Sequence, residues 1–288
     1  MPSPTIVVRN LQRLWAAARG IAVDSSGYSL DLNDNLFMPL SEATLSEFFR
    51  GDGGELGLPG ERGKMQALHS SSALVCNVFE YWRDRDKSVL AAGLGLPVGI
   101  VRIEFERKFP TGLPGNPPHL DIVLTLANGS ILAVESKLLE PYGGRRTQGF
   151  KRKYFASDPG LWARFGYLHC QELASRLDSG EVVFRWFYAA QMLKHILGLA
   201  ASGFPWELLY LWYEAPGPGA SEHATEAAEF ARVATADEIV FRSISYQKLF
   251  AVIRRLAGKS ESAYLAYLDG RYFGQLGRIS PLAPQHSA

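Results

Sequence analysis

The chain has 288 residues, 47% of them hydrophobic, with 30 Lys and Arg against 29 Asp and Glu for a formal net charge of +1. Such a chain can bury one large core, so a single domain with decorations is expected over two equal ones, and near-neutral charge argues against a general basic coat. No apolar run nears the roughly 18 residues a membrane span needs, so no membrane association is expected. The first 20 residues, interrupted by Arg9, Arg13 and Arg19, make a poor signal peptide. Cys76 and Cys170 are far apart in helical-looking segments and read as reduced core cysteines of a cytoplasmic protein, not as a disulfide or zinc site.

In chain order, residues 5–20 and 41–50 read as short helices flanking a turn-rich DSSGYSLDLNDN stretch. The glycine-rich GDGGELGLPGERG at 51–63 is the clearest boundary, dividing an N-terminal helical and loop extension (1–62) from the main domain (63–288). Residues 65–85 predict one long helix, with Ser70, Ala73, Asn77 and Glu80 on one stripe and Leu74, Val75, Val78, Phe79 and Trp82 on its packing faces. In the strand predicted over 100–109, Val101, Ile103 and Phe105 alternate with Arg102, Glu104, Glu106 and Lys108, which places both glutamates on the solvent side.

HLDIVLTLANGSILAVESKLLEP then reads as two apolar strands joined at Asn128-Gly129. Both look like interior strands, yet Asp121 opens the first and Glu135-Ser136-Lys137 closes the second. A Glu and a Lys rarely enter such a strand without pairing or a metal. The plain alternative is a Glu135–Lys137 ion pair that does no chemistry. A two-residue loop would set Asp121 opposite Ser136, on the face away from Glu135 and Lys137. A three-residue loop, Asn128–Ser130, sets Asp121 opposite Lys137 and collects Ile122, Leu124, Leu126, Leu132 and Val134 on one aliphatic face. The odd-length loop is therefore expected, with Gly129 near the left-handed region.

GGRRTQGFKRKYF follows, where Arg145, Arg146, Lys151, Arg152 and Lys153 surround Phe150 next to Tyr154, a pattern suited to phosphates with bases or sugars between. An ordinary solvated loop is the common fate of such a run; adjacency to the carboxylates tips the reading. Helices near 159–178 and 184–200 precede a buried strand at 204–215, a helix at 221–234 with a Ser N-cap signal, a strand at 238–246 and helices at 247–257 and 260–273. On the apolar 184–200 helix, Gln191 and His195 stand one turn apart beside Lys194, and the histidine reads more readily as core-capping than catalytic. No P-loop, GxSxG or HExxH motif is present.

The Asp121, Glu135 and Lys137 pattern, in a helix, three strands with a hairpin, helix, strand, helix, strand order, resembles the PD-(D/E)XK phosphodiesterase superfamily. SSSALVCNVFEYW, ESKLLEPY and FYAAQMLKHILGL are similar to a bacterial restriction-endonuclease-like subgroup, and the resemblance covers roughly residues 65–215. It implies an α/β fold: a restriction-endonuclease-like mixed central sheet flanked by helices, with extra N- and C-terminal helices. It further implies a Mg²⁺-dependent deoxyribonuclease, Mn²⁺ being an acceptable substitute. Asp121, Glu135 and the Ser136 carbonyl would bind the ion through hard oxygens, and Lys137 would orient water and stabilise developing charge. Glu80 matches the additional acidic residue that many members carry on the preceding helix, with Glu104 and Glu106 as rivals. Gln191 and His119 join the basic segment as candidate nucleic-acid contacts. DNA is favoured over RNA on the resemblance alone, which also allows a homodimer. A nucleic-acid-binding or assembly protein that keeps the fold without cutting is the alternative. A glycosidase-like carboxylate pair fits Lys137 poorly.

Overall fold

The structure is a computed structural model that describes residues 3–274 apart from 52, 53, 59, 145–148 and 218. Its helices are α1 (Pro4–Ala18), α2 (Glu42–Arg50), α3 (Ser71–Phe79), α4 (Ser88–Gly93), α5 (Leu168–Asp178), α6 (Ala189–Ala201), α7 (Gly219–Ala236), α8 (Tyr246–Leu256) and α9 (Ser262–Leu268). The strands are β1 (Ile100–Lys108), β2 (His119–Leu126), β3 (Ile131–Lys137), β4 (Trp206–Trp212) and β5 (Phe241–Ser245). They form one sheet in the order β1-β2-β3-β4-β5, antiparallel across the first three and parallel from β3 to β5. This is the expected mixed sheet flanked by helices.

Each face of the sheet carries a core. On one, Ile103, Phe105, Ile122, Leu124, Leu126, Leu132, Val134 and Leu209 pack against Val8 and Trp15 of α1, Leu74 of α3, Leu90 of α4, Leu249 of α8 and Leu268 of α9. The other gathers Val123, Ile131, Ala133, Leu208 and Tyr210 under Leu173 of α5, Leu193 of α6 and Phe230 of α7. Residues from ahead of position 63, including Phe48 of α2, share the first core with the sheet. No helix among the described residues is long and apolar enough to cross a membrane. Cys76 and Cys170 are free and buried.

Capping explains several boundaries. The hydroxyls of Ser3, Ser41, Ser70 and Ser245 each accept from a backbone amide in the first turn of α1, α2, α3 and α8. Ser70 therefore starts α3 five residues inside the single helix expected over 65–85, and a 3-10 turn at Glu80–Trp82 follows. The segment expected as a helix near 159–178 has a 3-10 turn at Ala163–Phe165, closed by Gly166 at φ 83°, before α5. The helix expected at 221–234 already runs at Gly219, so Ser221 lies within its first turn.

The hairpin register decides the site. Thr125 pairs with Ile131 and Ile122 with Val134, across a three-residue Ala127–Asn128–Gly129 loop with Gly129 at φ 82°. The loop has the expected odd length but begins one residue earlier. The Asn128 side-chain oxygen accepts from both the Ser130 amide (3.1 Å) and its hydroxyl (2.7 Å), drawing Ser130 out of the loop and into line opposite Leu126. Parity is preserved, so the aliphatic face forms as expected. Continued by one residue, the pairing sets Asp121 opposite Glu135 and not Lys137.

Candidate active site

β2 and β3 cease to exchange backbone hydrogen bonds beyond Ile122, and there Asp121 takes over: its Oδ2 accepts from the Ser136 amide at 2.6 Å. Alternation along β3 sends Glu135 and Lys137 to the face covered by α6. Glu135 is only 2% exposed and Lys137 8%. The Lys137 ammonium donates to Glu135 Oε1, and Gln191 Nε2 donates to the same oxygen at 2.6 Å. His195, one turn beyond Gln191 on α6 and also 2% exposed, places Nε2 3.0 Å from Glu135 Oε2. That approach lies off the hydrogen-bonding direction, and neither ring nitrogen of His195 has a hydrogen-bond partner among the described residues. Lys137 also lies 5.4 Å from the centre of the Tyr188 ring.

A third carboxylate stands close by. Glu106 belongs to β1, but its φ of 53° breaks the strand's alternation, so it is buried together with Phe105 instead of pointing to solvent. Its Oε2 lies 3.2 Å from His119 Nε2. Glu55, from the glycine-rich connector, reaches the same region, its carboxylate accepting from Ser72 Oγ at 2.8 Å and lying 3.8 Å from the Lys64 amine. Gly63 permits this fold-back, since a Cβ there would meet the Glu55 carbonyl oxygen at 2.4 Å.

The electrostatics tie these groups together. Burial, repulsion from Glu55 and repulsion from Glu135 raise the Glu106 carboxyl to about 8. Burial and Glu135 likewise push Asp121 well above the usual carboxylate range, against the opposing pull of Lys137. Glu135 goes the other way: burial acts to raise it, but Lys137 and His195 outweigh that and hold it at about 2. Lys137 is desolvated too, yet Glu135 and Asp121 keep its amine firmly protonated. The result is a buried patch with more carboxylate than ammonium, whose acids hold protons for want of another cation.

Glu80 does not join this patch. It is buried, but its oxygens accept from the Ser41 amide (2.8 Å) and the Thr44 hydroxyl (2.7 Å), with Arg83 at 3.9 Å. It closes the N-terminus of α2, and the acidic residue near Asp121 is Glu106. The charges acting on Asp121 come from Glu135, Lys137 and Glu106. Ser136 contributes its amide to Asp121, while its hydroxyl pairs with the Tyr246 hydroxyl at 2.6 Å. Of the basic segment, Lys151 and Arg152 are exposed and Lys153 half-buried; Arg145 and Arg146 lie outside the described residues. Gln191 binds Glu135 and His119 binds Glu106, so in this arrangement both serve the carboxylates.

Sequence reasoning ranked Glu106 behind Glu80 as a solvent-side rival, set His195 aside from the chemistry and passed over Glu55. Regular alternation hid Glu106, because nothing in IVRIEFERKF announces the left-handed residue. Glu55 lay in what read as a connector. His195, read as core-capping, stands against Glu135; its one-turn spacing from Gln191 was the available signal.

No group of three or more His, Cys, Asp or Glu side chains is assembled as a metal cage among the described residues. The donor chemistry nonetheless fits a hard divalent ion: carboxylate oxygens, enclosed, with protons retained on Asp121 and Glu106. Glu135 is at present turned to Lys137, Gln191 and His195.

Mixed sheet, hairpin and an Asp, Glu and Lys group at the ends of β2 and β3 are together of the restriction-endonuclease-like class. The chain belongs to the family described as "Restriction Endonuclease associating with ARP", whose model matches residues 21–273. The match begins ahead of the boundary expected at 62/63 and extends past the 65–215 span of the resemblance. No curated protein and no solved structure matches the chain.

Proposed function

We propose that the protein is a metal-dependent phosphodiesterase that cuts DNA internally. The observation that carries this reading is that buried Glu135 and Lys137 stand beside half-buried Asp121 where β2 and β3 part, with α6 closing over Glu135. Asp121 and Glu135, assisted by the Ser136 carbonyl, would hold Mg²⁺ or Mn²⁺, with Glu106 in the place first assigned to Glu80. Such an ion withdraws charge from a phosphodiester and acidifies water. Lys137 is a compact donor that stays charged in a dry site, suited to orienting the attacking water and to meeting negative charge as it develops on the phosphate. Gln191 holds the Glu135 carboxylate in one orientation, and release of the protons kept by Asp121 and Glu106 accompanies any cation that binds there.

The basic segment, Lys151, Arg152 and Lys153 with Arg145 and Arg146, would run along the DNA backbone. The family description pairs these endonucleases with a component called ARP, and we take this chain to act beside such a partner. A second reading is a nucleic-acid-binding or assembly protein that keeps the fold without cutting. The observation in its favour is that both Glu135 oxygens are already occupied by side chains of the protein itself, Oε1 by Lys137 and Gln191 and Oε2 by the adjacent His195 ring.

Incubation with plasmid and single-stranded DNA in Mg²⁺, Mn²⁺ or EDTA separates the two. Metal-dependent nicking or linearisation supports the nuclease. DNA binding with no cleavage in any metal, and no saturable Mg²⁺ or Mn²⁺ binding by calorimetry, supports the second reading.

A further inference from the structure

Lys194 follows Gln191 by three positions on α6, which sets their side chains side by side, their Cβ atoms about 5–6 Å apart. Gln191 reaches Glu135; Lys194 reaches outward toward the basic segment. Its ammonium lies 5.1 Å from the Phe150 ring centre and 5.6 Å from that of Tyr154, and donates to the Gly149 carbonyl at 3.3 Å. Those rings are braced: Phe150 meets Tyr154 at 5.5 Å and Trp162 at 5.6 Å, both edge-on. Lys153 shares this floor, its amine 5.5 Å from Tyr154 and bonded to the Pro114 carbonyl.

Lys194 is half-buried, and burial together with Lys151 and Lys153 lowers its pKa from the ordinary lysine value. Both charges that act on it are ammonium groups, whereas Lys137 is balanced by Glu135 and Arg83 by Glu47. Bringing three like charges together over a fixed aromatic floor costs free energy that a bound anion recovers.

We propose that Lys194, with Lys151 and Lys153, forms a phosphate subsite that holds one backbone phosphate of the nucleic acid adjacent to the Asp121, Glu135 and Lys137 group. This rests on reading that group as a phosphodiesterase centre and adds where the neighbouring phosphate is held. The subsite fixes the strand by charge alone, so it selects for a polyanion and not for a base sequence.

The test measures binding of a short DNA duplex by fluorescence anisotropy in EDTA over a range of KCl concentrations, so no cleavage intrudes. Lys194→Met keeps the apolar stem and removes the charge. It is expected to leave the melting temperature unchanged or higher, to reduce the log–log salt slope by about 0.9 and to weaken binding about eightfold at 0.1 M salt. Lys194→Arg should keep the wild-type slope. A parallel titration with pyrophosphate asks for the anion site without DNA. Pyrophosphate binding that Lys194→Met abolishes, in a protein that ignores DNA, keeps an anion site at Lys194 but overturns its assignment to a nucleic-acid phosphate together with the nuclease reading. DNA cleaved by the wild type, with an unchanged slope in Lys194→Met, overturns the subsite and spares the nuclease. Wild-type protein that binds neither DNA nor pyrophosphate overturns the subsite as well.

Discussion

Lys137 and Asp121 both adjoin the buried Glu135 carboxylate, and the proposed mechanism gives them separable duties. Lys137→Ala should abolish cleavage while leaving Mg²⁺ and DNA binding largely intact, because an ammonium acts on water and developing charge without ligating an ion. Asp121→Ala should lose both metal binding and cleavage. Calorimetric metal titration beside a plasmid assay checks the pair, and full activity in Lys137→Ala would refute the mechanism. Glu106 gives a test that needs no substrate. Its folded-state carboxyl sits at about 8 against an ordinary 4.5, raised by burial and then by Glu55 and Glu135. The folded protein therefore keeps a proton that the unfolded chain releases, and stability falls as pH rises from about 4.5 to about 8, by at most about 1.4 kcal/mol per pH unit. Glu135, held at about 2, runs the opposite way: its contribution is present above about 4.5 and fades as pH drops toward 2. Urea unfolding at pH 5 and pH 8 should show a smaller drop for Glu106→Gln than for the wild type, and equal drops would contradict the assignment.

The α2 N-terminus shows how an element consumes a residue that its own helix seemed to offer for chemistry. Glu80 binds the Ser41 amide and the Thr44 hydroxyl, so Glu80→Ala leaves two donors without their acceptor and should cost about 2 kcal/mol. Its metal affinity should equal that of the wild type; a large fall in affinity at unchanged stability would return Glu80 to the site. The basic segment is tested by neutralising Arg145, Arg146, Lys151, Arg152 and Lys153 together. Each lost phosphate contact lowers the salt slope on duplex DNA by about 0.9. An unchanged slope would mark the segment as an ordinary solvated loop.

Across the whole molecule, the ends of the chain are tied by Arg271, which is 1% exposed. Its guanidinium donates to the Asn35 carbonyl and side chain, to Gln12 Oε1, to the Tyr267 hydroxyl and to the Leu68 carbonyl. It also lies 4.4 Å from the Trp15 ring and 4.8 Å from the Tyr272 ring. Carbonyl dipoles and aromatic faces thus stand in for a carboxylate around this cation. Arg271→Ala should therefore cost on the order of 3 kcal/mol or more, because it leaves a cavity and several unpaired acceptors. A fragment of residues 63–288 exposes the surface that α1 and α2 cover, and it should lack a cooperative melt. A sharp melt from that fragment would instead mark the first 62 residues as a dispensable extension.

The sequence by itself determined the mixed sheet, the three-residue loop parity and the common face of Glu135 and Lys137, with Asp121 on the adjacent strand. Apolar alternation, a turn and a fixed side-chain period are local, and a hairpin register follows from them. Asn128 moved the loop by one residue, a shift that parity alone does not reveal. Only the tertiary structure decided which further carboxylate stands beside them. Glu80 and Glu106 each follow a phenylalanine, one on a helix stripe and the other in a strand of alternating charge, and neither local pattern says which one joins the site. One is drawn to the amide of Ser41, 39 positions away, and the other is turned inward by a single left-handed residue. Glu55, Gln191 and His195 likewise acquired their partners from segments far along the chain, because a buried charge takes whatever donor or like charge the packing brings to it.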